Sequence, residues 1–355
     1  MSFMIELRSD TFTLPTRKMM DAIQEAALGD DVYGEDPTAS QLEAEVAQIL
    51  GKEAAILMPS GTMANLASIM AHGPRGSKVL VGDESDIYIY EAAGASVCGG
   101  IMYEPIPTQP DGRLAIADLE RAFPLEPEDP QFALPSLICL ENTHNRMGGR
   151  VLPLSYLEEV RVFADGKGVP VHMDGARLFN AAVALGVEVA EIAGYADSVQ
   201  FCLSKGLSAP IGSIVAGTNE FIEKVYRLRK MLGGGMRQVG IIAAPGLIAI
   251  RQMVDRLADD HSNALRLAKG LAEIPGIVTR VEDVETNIVY FRIEHPRLTW
   301  QTFIQEAREH GLQIAELGHG RIRAVTHSGI QAADIDRALQ IVQRLMTKHD
   351  EQHMS

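Results

Sequence analysis

The stretch Asp197-Ser-Val-Gln-Phe-Cys-Leu-Ser-Lys-Gly206 joins a mostly apolar run to a lysine that stands directly before a glycine. Ser198 to Leu203 is rich in β-favouring residues and predicts a buried strand, and Gly206 predicts a turn. A lysine at the end of a buried strand can be desolvated, lose its proton and attack a carbonyl group as an amine. A solvated loop lysine is the alternative, so the interpretation of Lys205 depends on two other stretches.

The first is Val169-Pro-Val-His-Met-Asp-Gly-Ala-Arg177, which predicts another short strand that ends on Asp174, thirty-one residues before Lys205. An aspartate at the end of a buried strand needs a positive partner to stay charged, because burial alone favours its neutral form. A protonated pyridine nitrogen is such a partner.

The second is Met58-Pro-Ser-Gly-Thr-Met-Ala-Asn65, where small residues lead into an apolar helical run. The free backbone amides of a helix start can hold a phosphate, and Ser60, Gly61 and Thr62 are the candidate contacts. A phosphate cradle, a pyridinium partner and an imine-forming lysine, in this order, predict a pyridoxal phosphate site.

Size and composition restrict the classes of protein that are possible. A chain of 355 residues predicts one large domain and a smaller one. A formal net charge of −15 argues against a nucleic-acid or anionic-lipid partner. Cys98, Cys139 and Cys202 lack metal-type spacing, so we expect buried free thiols, no metal site and a reducing compartment, the cytoplasm. The sequence also has no membrane-spanning run and no signal pattern at its amino terminus.

Short apolar strands that alternate with amphipathic helices predict an α/β fold with a mostly parallel sheet covered by helices on both faces. After Pro275 the pattern restarts as a small C-terminal α/β unit. We expect an N-terminal arm at 1–15, polar enough to reach into a site instead of closing a core, a large domain at 16–250 and a small domain at 251–355. Glu141, Asp174 and Lys205 fall at predicted strand ends, where ligands bind on such sheets.

Eight motifs in this order resemble those of the low-specificity L-threonine aldolases, over about residues 5 to 345. They are Arg8-Ser-Asp-Thr11, Gly29-Asp-Asp-Val-Tyr-Gly34, Pro59-Ser-Gly-Thr62, Glu141-Asn-Thr-His-Asn145, Asp174-Gly-Ala-Arg177, Cys202-Leu-Ser-Lys-Gly206, Gly233-Gly-Gly-Met-Arg-Gln238 and Arg323-Ala-Val-Thr-His327. The resemblance implies the aspartate aminotransferase-like fold type I of pyridoxal phosphate enzymes, with a seven-stranded sheet in the large domain.

The resemblance also implies how the cofactor is held. Lys205 would bind it covalently, Asp174 would pair with its pyridine nitrogen, and Arg177 would support that pair or reach the substrate carboxylate. Gly61 and Thr62 would hold the phosphate with Ser60 beside them. Arg237 would reach the phosphate from a neighbouring subunit, since the family's sites form between paired subunits and its members are commonly tetramers, built as dimers of dimers.

Four further residues are assigned to substrate and catalysis. The resemblance implies that Ser9 and Arg323 grip the α-carboxylate, for which a bidentate guanidinium is well suited. His144 is the candidate for orienting or deprotonating the substrate hydroxyl, and the alternative is a hydrogen-bonded histidine in a strand-end loop. Tyr33 either contributes a ring or hydroxyl to the site or anchors its loop.

One position departs from the family pattern. Where the family carries a histidine stacked on the cofactor ring, Gly82-Asp-Glu-Ser-Asp-Ile-Tyr-Ile-Tyr90 offers Asp86, which has no aromatic face. Tyr88 or Tyr90 could compensate, although helical spacing would point them elsewhere. Asp86 could also pair with a protonated imine, turn to solvent, or act as an altered acid or base.

The resemblance implies an aldolase that cleaves L-threonine, L-allo-threonine and other β-hydroxy-α-amino acids to glycine and an aldehyde. Because of Asp86, a second hypothesis keeps the site and changes the reaction to β-elimination, transaldolation or racemisation. A third is a cofactor-binding protein with little chemistry. The expected partner is a small amino acid, within a homo-oligomer.

Overall fold

The computed structural model describes residues 4–354 and forms three β-sheets. The strands are β1 (Ile5–Glu6), β2 (Ala54–Met58), β3 (Lys78–Gly82), β4 (Met102–Ile106), β5 (Pro135–Glu141), β6 (Val171–Asp174), β7 (Ser198–Cys202), β8 (Ser213–Gly217), β9 (Ile277–Thr279), β10 (Ile288–Ile293), β11 (Leu312–Gln313), β12 (Ala315–Glu316) and β13 (Ile322–Val325).

Helices surround the sheets. They are α1 (Arg17–Glu25), α2 (Pro37–Leu50), α3 (Gly61–His72), α4 (Asp86–Ile89), α5 (Ile116–Arg121), α6 (Leu154–Lys167), α7 (Leu178–Leu185), α8 (Val189–Ala193), α9 (Asn219–Met231), α10 (Gly240–Gln252), α11 (Leu257–Ala272), α12 (Trp300–Glu309) and α13 (Ala332–Met354). Polar caps define several of these starts, as where the side chain of Ser60 accepts a hydrogen bond from the backbone N–H of Met63 at the start of α3.

The large sheet has seven strands in the order β2-β8-β7-β6-β5-β3-β4. Every pairing among β4, β3, β5, β6 and β7 is parallel, and β8 runs antiparallel to both of its neighbours, β2 and β7. All residues of β6 and β7 are buried, as expected when helices cover both faces of a sheet. The predicted α/β fold, with its mostly parallel seven-stranded sheet, is confirmed.

A second sheet belongs to the C-terminal part of the chain. Its four strands pair antiparallel in the order β12-β13-β10-β9. The apolar core of the large sheet extends to Leu257, whereas Ala264 already packs in the core of the C-terminal sheet. Both residues lie in α11, so this one helix connects the two cores.

The N-terminal segment differs from the expected polar arm. Ile5 and Leu7 are each 1% exposed and pack in the C-terminal core, and β1 pairs in parallel with β11. Apolar side chains alternate with polar ones in this segment, as in a half-buried strand, so one face of it packs in the core. Residues 1–3 of the predicted arm lie outside the described residues.

The cysteines are all unpaired. Cys139 and Cys202 are buried as expected, whereas Cys98 is exposed at the end of a short helical turn. None of the helices within residues 4–354 is both long and apolar enough to cross a lipid bilayer.

Candidate active site

Polar groups collect where the central parallel strands end. Glu141 of β5 pairs in register with Asp174 of β6, and Asp174 pairs with Gln200 of β7. Because these strands run parallel, their carboxyl ends meet at one edge of the sheet. Lys205 follows β7 by three residues, which brings its side chain to the same edge.

This edge opens into a cavity of about 340 Å³. Six of the residues predicted from the sequence line it, namely Ser60, Gly61, Thr62, Asp86, Asp174 and Lys205. The cavity therefore brings together the predicted phosphate contacts, the predicted pyridinium partner and the predicted imine-forming lysine, which lie far apart in the sequence.

Asp174 is 2% exposed and is held by two buried amides. Its Oδ2 accepts a hydrogen bond of 2.9 Å from Asn65 Nδ2, and its Oδ1 accepts from Gln200 Nε2 and from the backbone N–H of Ala176. These contacts use about three of the four acceptor positions of a carboxylate. Burial raises the pKa of Asp174 in spite of Lys205 and the two amides, so a cationic partner in the cavity would stabilise its charged form.

Lys205 lies half-buried at the cavity, and no side chain in the described part of the protein accepts a hydrogen bond from its amine. Burial alone lowers the pKa of Lys205, but Cys202 and the carboxylates of Asp86 and Asp10 more than offset it, so the pKa is raised. The direction of this shift is opposite to the one expected from desolvation alone.

The phosphate end of the cavity is the start of α3. The first backbone N–H groups of any helix have no partner inside the helix, and in α3 the N–H groups of Gly61 and Thr62 are in this position. A Cβ atom on Gly61 would come within 3.0 Å of Cys202 Sγ, so a side chain here would disturb the packing of α3 on β7.

These features fit pyridoxal phosphate. The helix start offers donors for its phosphate, Asp174 retains an acceptor position for its ring nitrogen, and Lys205 offers an unpaired amine for its aldehyde. No group of His, Cys, Asp and Glu residues suited to a metal ion occurs among the described residues.

Asp86 is the first residue of α4 and lies on the cavity wall. Its carboxylate accepts hydrogen bonds of 3.0 and 3.3 Å from Asn145 Nδ2, and its backbone N–H donates to Glu141 Oε2 at 2.7 Å. Asn145 in turn accepts a 2.6 Å bond from Arg323 Nη1. Asp86 is thus joined through one amide to the arginine predicted to grip the substrate.

Arg323 is 7% exposed and keeps spare donors. Its Nη2 donates to the backbone carbonyl of Arg8 at 2.9 Å, while its buried Nε has no partner among the described residues. Ser9, the other predicted carboxylate contact, caps a short turn and accepts a hydrogen bond from the backbone N–H of Thr11. Neither Ser9 nor Arg323 is among the residues that line the cavity.

Arg177 pairs with Asp10 instead of Asp174. Its Nε and Nη2 donate to the two carboxylate oxygens of Asp10 at 2.7 and 2.8 Å, and both side chains are buried. Burial opposes the charge on Asp10, but Arg177 more than offsets it and holds the pKa of Asp10 well below its usual range. The guanidinium of Arg177 bonds to Asp10 and makes no hydrogen bond to Asp174, so the predicted support of Asp174 is not seen. The predicted contact of Arg177 with the substrate carboxylate stays a prediction.

His144 does not line the cavity. It is 2% exposed, its backbone forms a bridge with Arg150, and its side chain packs against Gly112. Burial lowers the pKa of His144 to about 4, and its Nδ1 lies 3.8 Å from Glu141 Oε1 without a hydrogen-bond partner. The alternative prediction, a hydrogen-bonded histidine in a strand-end loop, therefore holds for the backbone of His144 but not for its Nδ1 atom.

Tyr33 and Arg237 lie together on the surface, away from the cavity. Tyr33 is 75% exposed, and the Arg237 side chain is 53% exposed with its Nη1 2.9 Å from Asp30 Oδ2. The backbone carbonyl of Arg237 also accepts from the N–H of Asp31 at 2.9 Å. A single chain therefore does not bring either residue to its own cavity.

The family model described as beta-eliminating lyase matches residues 6–294. The chain belongs to this family. The low-specificity L-threonine aldolase 1 of Arabidopsis thaliana is 45% identical over 346 residues, covering 96% of each chain. The low specificity L-threonine aldolase of Escherichia coli K12 is 46% identical over 290 residues, covering 82% of this chain and 85% of that protein.

A solved structure agrees on the fold. The Leishmania major threonine aldolase superimposes with a TM-score of 0.79 at 19% identity, covering 96% of this chain and 98% of that one. At this identity the likeness shows the fold alone. The family resemblance expected from the motifs is confirmed, and the chain is a beta-eliminating lyase family member of the same architecture.

Several residues of this beta-eliminating lyase site were not singled out from the sequence. They are Asp10, Asn65, Glu91, Asn145 and Gln200. Gln200 stands inside a strand of otherwise small or apolar residues, and Asn65 stands on the buried side of an apolar helix. A buried polar residue needs a partner, and this was the available indication of their role.

Tyr90 also lines the cavity, although helical spacing was expected to point it elsewhere. It is the C-cap residue of α4, and its backbone N–H donates to the Asp86 carbonyl. Its hydroxyl accepts a 2.8 Å hydrogen bond from Arg146 Nη1. Glu91, the next residue, has a pKa raised well above its usual range by burial and by Asp174.

Proposed function

We propose that this protein is a pyridoxal phosphate-dependent lyase that cleaves L-threonine, L-allo-threonine and other β-hydroxy-α-amino acids to glycine and an aldehyde. The observation that carries the proposal is the meeting of Lys205, Asp174 and the start of α3 in one cavity. Its relatives at 45% and 46% identity carry the threonine aldolase name, which favours this reaction over β-elimination, transaldolation or racemisation.

Three parts of the cavity hold the cofactor in this proposal. The N–H groups at the start of α3 bind the phosphate, Asp174 accepts from the ring nitrogen, and Lys205 provides the covalent link through Nζ. The chemistry that pyridoxal phosphate supplies when bound is electron withdrawal from the bonds around Cα of an attached amino acid. Asn65 and Gln200 keep Asp174 oriented for this purpose.

Arg323 positions the substrate. Its unpaired Nε and remaining N–H groups can donate to the α-carboxylate, while its bonds to Asn145 and to the Arg8 carbonyl fix the guanidinium plane. A fixed carboxylate sets the rotation about Cα and so selects which bond is broken.

The proton of the substrate hydroxyl needs an acceptor at the cavity. Asp86, Glu91 and Asp174 have carboxyl groups at the cavity. Asn65 donates to Glu91 and Asp174, whereas Asn145 holds Asp86 in place, so we assign this proton to Asp86. His144 is the candidate that the sequence predicts for this role. Its buried ring does not line the cavity, so the role of His144 stays a prediction.

The function is tested by incubating the protein, supplied with pyridoxal phosphate, with L-threonine and separately with L-allo-threonine. The proposal expects glycine and acetaldehyde in equal amounts. Ammonia with a keto acid would support β-elimination, and a change of configuration without an aldehyde would support racemisation. Either of these two alternative outcomes, without glycine, would overturn the aldolase proposal.

We also propose that the protein works as a homo-oligomer, as a dimer of dimers, in the cytoplasm. Tyr33 and Arg237 support the oligomer, because both are exposed and only a neighbouring subunit could use them at a cavity. The unpaired cysteines suit a reducing compartment.

A further inference from the structure

A chain of buried hydrogen bonds runs from the cavity into the large domain. Asn65 uses its Nδ2 to contact Asp174 Oδ2 at 2.9 Å and Glu91 Oε1 at 2.8 Å. Its Oδ1 lies 3.1 Å from Nε2 of His172, a residue of β6 that has no exposed surface. His172 is therefore linked to Asp174 through a single amide.

The chain continues away from the cavity. The other ring nitrogen of His172, Nδ1, lies 2.8 Å from the hydroxyl of Ser198, the first residue of β7. The same hydroxyl lies 2.8 Å from Nε2 of His72, the last residue of α3. The ring of His72 stacks on Phe221 with ring centres 4.5 Å apart, which holds it in this orientation.

Both rings are neutral, so each carries one N–H. Burial lowers the pKa of His172 to about 3 and that of His72 to about 4. With one proton on each ring, the donors along the chain are determined by their neighbours.

The carboxylate of Asp174 sets the direction. It requires the amide N–H of Asn65, so Asn65 Oδ1 faces His172 and must accept from its Nε2–H. The Nδ1 of His172 then accepts a hydrogen bond from the hydroxyl of Ser198. The Ser198 oxygen in turn accepts from Nε2–H of His72. Every donor in the chain points towards Asp174.

We propose that His72, Ser198 and His172 are positioning residues that fix the amide of Asn65 with its N–H groups towards Asp174, and so keep Asp174 an acceptor for the cofactor ring nitrogen. An asparagine turned the other way would place an oxygen against the carboxylate, which would favour its protonated form. The inference rests on the proposed cofactor, but it concerns residues that do not line the cavity.

The test is the dissociation constant of pyridoxal phosphate, measured by titrating the cofactor-free full-length protein. His72→Leu removes one hydrogen bond from the chain and Ser198→Ala removes two, and we expect about 5- to 30-fold weaker cofactor binding for each variant. His72→Gln keeps a donor amide at the same reach and should restore most of the affinity. Ser68→Ala is the control. It removes a buried hydroxyl of α3 that bonds only to the Ala64 carbonyl, and it should leave the dissociation constant unchanged.

A double-mutant cycle separates this chain from a general loss of packing. In an Asn65→Ala background the amide is absent, so His72→Leu should no longer weaken cofactor binding. A constant within twofold of wild type for both His72→Leu and Ser198→Ala would overturn the inference, and so would a His72→Leu effect that persists unchanged in the Asn65→Ala background. A wild-type protein that does not bind pyridoxal phosphate would instead refute the proposed function.

Discussion

Arg177 and Asp10 form a buried, doubly hydrogen-bonded ion pair, although 167 positions separate them in the chain. Asn287, which precedes β10 of the C-terminal sheet, also donates to Asp10 Oδ2 at 3.2 Å. One carboxylate thus connects the N-terminal segment, the start of α7 and the C-terminal unit. The pair lies beside the cavity, where Asp10 and Arg177 both act on the charge of Lys205.

Removing Asp10 should be strongly destabilising. Asp10→Ala leaves the guanidinium of Arg177 buried without its partner, for which about 3–5 kcal/mol of unfolding free energy is the usual loss. The matched control is Asp336→Ala, which breaks the exposed pair with Arg266 and should cost less than about 1 kcal/mol. Urea denaturation at neutral pH measures both. Equal losses in the two variants would contradict the structural role assigned to Asp10.

Stability should depend on pH through histidines such as the half-buried His261. Burial lowers the pKa of His261 to about 4, and Asn180 Nδ2 lies 3.1 Å from its Nε2. In the unfolded chain the imidazole takes up a proton near pH 6.5, whereas in the folded protein it does so only near pH 4. The stabilisation from the neutral His261 is therefore complete above pH 6.5 and is lost as the pH falls towards 4. The buried carboxyl of Glu43, with a pKa raised to about 7, acts in the opposite direction, so single variants are needed.

The measurement is the unfolding free energy at several pH values between 4.5 and 7, the range set by the pKa values of folded and unfolded histidine. His261→Gln should reduce the loss of stability on acidification, by up to about 1.4 kcal/mol per pH unit. His310→Gln, at an exposed helix end, serves as the control and should follow the wild type. Parallel curves for the wild type and His261→Gln would show that folding does not shift the pKa of this histidine, and would contradict the prediction.

Arg323 should control substrate affinity. Arg323→Lys loses the planar pair of donors, and we expect KM for L-threonine to rise about 10-fold or more, as for the loss of a hydrogen bond to a charged group. Arg321→Lys changes an arginine two positions away that packs over the Tyr290 ring. That control should leave KM unchanged, and a similar rise in both variants would remove the carboxylate role from Arg323.

Asp86 should determine the rate of cleavage. Asp86→Asn keeps the size of the side chain but removes the proton acceptor, so kcat for L-threonine should fall about 100-fold, the lower end for general acid–base groups. Asp86→His restores an acceptor and an aromatic face, and it should raise turnover above that of the wild type. Steady-state rates of acetaldehyde release decide both. A rate in Asp86→Asn within twofold of wild type would show that another group accepts the proton of the substrate hydroxyl.

The fold and the main cavity groups followed from local patterns. The run that precedes Lys205 and the run that ends on Asp174 are short, apolar and followed by turns, so each could be recognised without its neighbours. Because the carboxyl ends of parallel strands lie at one edge of a sheet, recognising these two strands was enough to predict that Asp174 and Lys205 lie close together.

The remaining site residues depend on contacts that no local pattern contains. Asn65 and Gln200 act on Asp174 only once α3 packs beside β6 and β7. Asp10 was not recognised because its partner lies in a different element, and the burial of Ile5 was missed because polar neighbours outweighed it in the pattern. Long-range packing and ion pairing decide such positions, and a single sequence does not show either.

The most direct test of the whole account is the position of the covalent cofactor link. The protein is mixed with pyridoxal phosphate, reduced with borohydride, digested and examined by mass spectrometry. Lys52 provides an internal comparison, because burial lowers its pKa whereas it lies outside the cavity. We predict a phosphopyridoxyl label on Lys205 alone, absent from Lys205→Ala. A label on Lys52 or another lysine, with Lys205 unmodified, would contradict the account.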